Sequence, residues 1–175
     1  WLNRLGAEWR TLAQVGQDPG ILTEFYQPLD LAGRFFVAPR AFAGERLWNV
    51  FFDGDRGAQD QVREATVGLD IGTQLDRWGE LRLGYLAGSG GAYPKIAIAG
   101  FPESEYAIGA LRARLTYDQL DNVNFPTSGA LFLGGWYSSL NSLGATYQYS
   151  QVDFNYTQAL LSHRAHTLVL GLRGG

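Results

Sequence analysis

Ser162, His163 and His166 are the residues in this chain that most resemble catalytic equipment. A serine within hydrogen-bond reach of an imidazole is the nucleophile and base of a hydrolase. Ser162 and His163 are chain neighbours at a turn signal, however, where adjacent side chains diverge, and no carboxylate lies close in sequence to orient the ring. Turn residues and a lumen-facing histidine are the plainer reading. Gly88-Ser89-Gly90-Gly91 has the composition of a phosphate-cradling loop, but no helix follows whose N-terminus would hold the anion, so a strand end or bulge is expected. Asp53, Asp55 and Asp60 would suit calcium in an external loop. Their spacing is not that of an EF-hand, and a solvated acidic loop is expected. There is no cysteine, which excludes disulfides and thiolate metal sites. No catalytic residue, metal or cofactor is assigned to the chain.

The charged residues point elsewhere. Of the 14 Lys and Arg, Lys95 is the one lysine. Arginine dominates where cations must meet carboxylates in confined places. The net charge of -3, with arginines spread along the chain, offers no footprint for nucleic acid. Gly is abundant, 23 of 175 residues against an ordinary share of about 7%, and 14% of the chain is aromatic. That combination, with many short alternating runs, predicts an all-β protein.

The elements that position these residues repeat with period two. Ala65, Val67, Leu69, Ile71, Thr73 and Leu75 oppose Thr66, Gly68, Asp70, Gly72 and Gln74. Leu81, Leu83, Tyr85 and Ala87 oppose Glu80, Arg82 and Gly84. Leu111, Ala113, Leu115 and Tyr117 oppose Arg112, Arg114, Thr116 and Asp118. Val152, Phe154 and Tyr156 oppose Gln151, Asp153 and Asn155, and Trp9 and Ala13 oppose Arg10 and Gln14. Turn signals separate the runs. The pattern predicts about nine strands joined by hairpins as an antiparallel up-and-down meander over residues 1–175, one domain with no second. Short connections at Asp30–Gly33 and Asp76–Gly79 alternate with longer, more irregular ones expected at Glu45–Gln61 and Ile96–Glu105, with Leu47–Phe52 a strand extension beyond the bilayer.

A soluble β-sandwich binding module alternates in the same way. Three features favour a transmembrane β-barrel. The polar face carries Arg10, Arg40, Asp70, Arg82, Arg112, Arg114 and Asp153, a set suited to an enclosed Arg–carboxylate network. Aromatics stand near strand ends, notably Trp9, Phe35, Trp78, Tyr117 and Trp136, as interfacial girdles require. Every connection is local. A slip of one residue would turn each arginine into lipid at a cost of roughly 2–4 kcal/mol near the midplane.

The stretch Asp118-Gln-Leu-Asp121-Asn122-Val-Asn-Phe125-Pro126-Thr127-Ser-Gly129 resembles the D-x-x-D-N-x-x-F-P-T-x-G signature of bacterial surface-antigen barrels, the outer-membrane assembly and two-partner-secretion superfamily. It would form a periplasmic turn in which Asp121 and Asn122 bond backbone amides, Phe125 covers the rim, Pro126 fixes the chain and Gly129 starts the next strand. Leu2–Arg10, Thr23–Leu29 and Trp78–Tyr85 are similar to the barrel that follows a patatin-like phospholipase in type V autotransporters. The resemblance implies a bacterial outer-membrane location and a barrel of about sixteen strands, of which this chain would supply roughly the second to the eleventh. It implies as partners outer-membrane lipid, covalently linked periplasmic and passenger domains, and the remaining strands or a second copy. The patatin G-x-S-x-G nucleophile is absent, so hydrolysis would belong to a domain outside this stretch; an outer-membrane barrel enzyme of lipase or esterase type is the alternative. With no Met and Trp1 at its head, the chain is expected to be a fragment or processed portion of something larger.

Overall fold

The computed structural model describes residues 2–52, 55–96, 103–163 and 166–175. Nine strands form one antiparallel sheet: β1 (Glu8–Gln14), β2 (Gly20–Pro28), β3 (Phe35–Phe52), β4 (Asp55–Gln74), β5 (Gly79–Ile96), β6 (Ser104–Asp118), β7 (Ala130–Ser139), β8 (Tyr149–His163) and β9 (His166–Gly174). Each pairs with its sequence neighbours, in the order β1 to β9. Among the described residues there is no second sheet and no helix beyond a 3-10 turn at Asn141–Leu143. The meander is therefore as the alternation predicts, and the two-layer sandwich is excluded.

The period of two divides the sheet into two chemically distinct faces. One hydrogen-bonded row runs Val37, Ile71, Leu83, Ala113, Trp136 and Val152. These side chains have nothing packed over them: Ile71 is 58% exposed and Val152 61%. Burying an aliphatic side chain gains about 1.5–3 kcal/mol, so a whole face left bare suits hydrocarbon and not water. The adjacent row on the opposite face runs Ala38, Asp70, Gly84, Arg112, Tyr137 and Gln151. The largest fully buried side chains among the described residues, Phe36 and Asp70, lie on this inner face.

The outer face also shows where the apolar band stops. Along β3 the outward positions Phe35, Val37, Pro39, Ala41 and Ala43 carry no charge. That length matches the roughly 9–11 residues a tilted strand needs to cross hydrocarbon. The next outward position, Glu45, pairs with Arg63 on β4 at 3.0 Å.

Strand ends are staggered across the sheet. Phe36, Gly72, Arg82, Arg114, Gly135 and Asp153 occupy one row. β3 begins one residue below it, whereas β8 continues from Asp153 to His163. A progressive offset of this kind is the shear of tilted strands in a barrel wall.

Two connections differ from expectation. Glu45–Gln61 is not an irregular loop: β3 and β4 stay paired from Glu45↔Arg63 through Leu47↔Gln61 to Phe52↔Asp55. The β-branched and aromatic residues Trp48, Val50, Phe51 and Phe52 favour strand and carry the ladder on. Gly88–Gly91 is neither strand end nor bulge but the paired interior of β5, with Gly88 opposite Thr66 and Ile108. Most of the Ile96–Glu105 connection lies outside the described residues, as do Asp53 and the side chains of Asp55, Ser162, His163 and His166; on the backbone, His163 pairs with His166.

Candidate functional site

The inner face gathers its charges around one carboxylate. Asp70 on β4 is fully buried. Arg112 on β6 donates from Nε to Asp70 Oδ1 at 2.9 Å and from Nη2 to Oδ2, a two-pronged pair that matches the guanidinium fork. Arg82 on β5 reaches the same carboxylate at 3.7 Å, donates to Glu24 on β2 at 3.0 Å, and also bonds Glu80. Gln74 Nε2 donates to Glu80 at 2.8 Å. Two arginines thus hold three acids drawn from three strands, and each head is desolvated with its countercharge in place.

Glycine makes this possible. Gly84 lies on β5 directly between Asp70 and Arg112 in the row, and a Cβ there would overlap the Asp70 carboxylate and crowd the Arg112 guanidinium. Gly72 does the same for the Phe36 ring. Phe36 in turn supports the network: the Arg82 guanidinium lies 4.9 Å from its centroid, and Tyr26 packs at 4.7 Å on the ring.

The remaining inner-face charges are placed on the same face without joining the cluster. Arg40 is directly opposite Glu24 in register, but its Nε is buried without a partner among the described residues. Arg10 faces Glu24 from β1, Arg114 is in the row of Arg82, and Asp153 lies over Gly135. None of these four forms an ion pair among the described residues. Sequence reasoning missed Glu24 and the supporting Phe36 and Tyr26. In β2 the inner face reads Leu22, Glu24, Tyr26, a mixed set that carries no clean polar phase.

Aromatics line the outer face. Trp9 and Phe25 pack at 5.9 Å near the start of β1, and Trp78 and Tyr117 meet edge-on at 5.4 Å where β5 begins and β6 ends. Phe35 opens β3. Trp136 lies in the apolar row described above.

The turn between β6 and β7 is built by three side chains. Asp121 Oδ1 accepts from the Thr127 and Ser128 amides at 2.8 and 3.1 Å, and Oδ2 accepts from the Thr127 hydroxyl. Asn122 Oδ1 accepts from the Asn124 and Phe125 amides at 2.9 and 3.0 Å. Asp118 Oδ1 accepts from the Leu120 amide at 3.1 Å. The bonds to Asp121, the Thr127 hydroxyl foremost, hold its carboxyl down to about 2. The shorter turn after β2 works alike: the Arg34 amide, together with the Arg34 side chain, lowers Asp30. Gly129 has a φ of 91°, and a Cβ on it would overlap the Gln119 carbonyl. Phe125 does not cover the rim. It is 82% exposed: Asn122 holds its amide within the turn, and the ring is left to solvent.

No family model and no curated protein matches the sequence. Among solved structures, the chain is similar to the crystal structure of BamA from Haemophilus ducreyi lacking POTRA domains 1–3, with a TM-score of 0.69 and 15% identity. The match covers 89% of this chain and 32% of that one, so the chain spans about a third of the length of the BamA chain. At this identity the likeness is one of fold: an all-β antiparallel meander similar to part of the BamA barrel.

Proposed function

We propose that this chain is part of the wall of a bacterial outer-membrane β-barrel and acts there as anchor and translocator. The observation that carries the reading is the division of a single sheet into a bare apolar face and an inner face organised around buried Asp70. Only a closed or completed sheet satisfies every backbone group in hydrocarbon, so the nine strands would pair onward with further strands of the same protein or with a second copy. The likeness to the BamA barrel supports the same location and role.

The finer reading is an autotransporter whose passenger is a patatin-like phospholipase joined through a periplasmic domain. It rests on the resemblances of Leu2–Arg10, Thr23–Leu29 and Trp78–Tyr85. In it the barrel stretch is non-catalytic, and hydrolysis belongs to the passenger.

Fractionation of cells producing the full-length protein tests both levels. The expected result is recovery in the outer membrane, release only by detergent, slower gel migration after boiling, and phospholipase activity on the cell surface that vanishes when residues 1–175 are deleted. Recovery in a soluble fraction overturns the barrel. Outer-membrane recovery without any surface hydrolase overturns the autotransporter reading alone. Esterase activity of the barrel stretch by itself would overturn its non-catalytic assignment.

A further inference from the structure

Above the Asp70 cluster the inner face changes character. A cavity of about 690 Å³ opens there, lined from β3 through β8. Its walls are aromatic. Tyr106 and Tyr147 pack with centroids 6.4 Å apart, and Tyr137 and Tyr149 at 5.6 Å, each pair tilted. Tyr147 and Tyr149 are more than half exposed. Trp48 closes one side.

Between the rings lie carboxylates. Glu64 accepts from the Tyr106 hydroxyl at 2.7 Å. Asp60 Oδ1 is buried with no donor among the described residues. A buried acceptor without a donor is costly, and a ligand that brings an N–H relieves it. The lining also includes Asp153, so acids outnumber Arg46, its one cationic member.

Arg46 indicates what this surface accepts. Its guanidinium is 5.6 Å from the Trp48 ring centroid, so the cavity already seats one of the chain's own cations on an aromatic face. Ring faces with nearby carboxylates attract organic cations.

We propose that this cavity is a binding site for ammonium or guanidinium groups, with Tyr147, Tyr149 and Trp48 as stacking surfaces and Asp60 and Glu64 as countercharges. A free polyamine and a basic peptide segment bring the same chemistry.

The test is calorimetric titration of the full-length protein in zwitterionic detergent with spermidine, a hexa-arginine peptide and maltohexaose. Binding of spermidine assigns a small-molecule source; binding of the peptide alone assigns a polypeptide source; either supports the site. Affinity should fall at least tenfold in Tyr147→Ala/Tyr149→Ala and severalfold in Glu64→Gln, with slower migration of the unboiled protein preserved as evidence of folding. Asp60→Asn, which changes one atom, serves should the tyrosine variant fail to fold. The proposal is overturned if neither cation binds the folded protein, if maltohexaose binds as tightly, or if folded variants bind the cations unchanged.

Discussion

Asp70 and Arg112 meet across a strand that has no side chain between them. Arg112 Nε lies 2.9 Å from Asp70 Oδ1, with Gly84 of the intervening β5 directly beneath the pair. The ion pair therefore ties β4 to β6 over the top of β5, adding a side-chain link to strands that share no backbone ladder. Arg82 extends the link to Glu24 on β2.

Removing the shared acid should cost more than removing a peripheral one. Asp70→Asn leaves the poorly solvated Arg112 guanidinium without its acid, and a loss of about 3 kcal/mol is expected from the usual cost of breaking a buried pair. Glu24→Gln, which strips one of three acids, should cost about 1 kcal/mol. Urea unfolding of the protein in detergent micelles measures both.

The glycine beneath the pair has its own test. Gly84→Ala places a methyl group where the Asp70 carboxylate lies and should destabilise by about 1–3 kcal/mol. Gly171→Ala, with nothing within 4 Å of the added carbon, should change stability by less than about 0.5 kcal/mol. Equal effects would show that the inner face does not constrain the side chain at position 84.

Adjacent residues on β8 distinguish the two faces. Phe154→Arg points a cation into the apolar band and should cost about 2–4 kcal/mol, whereas Asn155→Arg, one residue on, should be tolerated. Refolding yield into lipid vesicles reads the difference; similar yields would mean that the faces are misassigned.

The β6–β7 turn should be insensitive to pH across the ordinary range. The Asp121 carboxyl is lowered from 3.8 to about 2 by the Thr127 hydroxyl and the Ser128 and Thr127 amides. A depressed acid contributes stability that is fully present above its unfolded pKa and disappears as pH falls through the folded value. Protection of the Thr127 and Ser128 amides against hydrogen exchange should therefore persist to about pH 4, decline toward pH 2, and be absent at every pH in Asp121→Ala. Phe125→Ala, by contrast, should leave stability within about 0.5 kcal/mol, since the ring is 82% exposed.

The fold was legible because period two is a strong local signal wherever one face meets acyl chains. Val67, Leu69 and Ile71 against Gly68 and Asp70 need no further context. β2 was not legible on its inner face. Leu22, Glu24 and Tyr26 face inward together because Glu24 is fixed by Arg82, three strands away, and Tyr26 by Phe36 on β3. Such partners are separated by long stretches of sequence and leave no periodic trace. The Asp70–Arg112 geometry was likewise out of reach, since it depends on which glycine lies in the row. The aromatic cavity escaped notice because Tyr106, Tyr137 and Tyr149 come from three strands and converge only in the folded wall.

Gly72 and Gly84 have an effect beyond accommodating their neighbours. Phe36 and the Asp70–Arg112 pair recline over them along the wall instead of projecting into the middle. In the closed barrel proposed above, the calibre of the passage would be governed by the backbone cylinder more than by side-chain length. Filling those two positions would prop the large groups upright and narrow the aperture, which single-channel current would register as a drop in conductance.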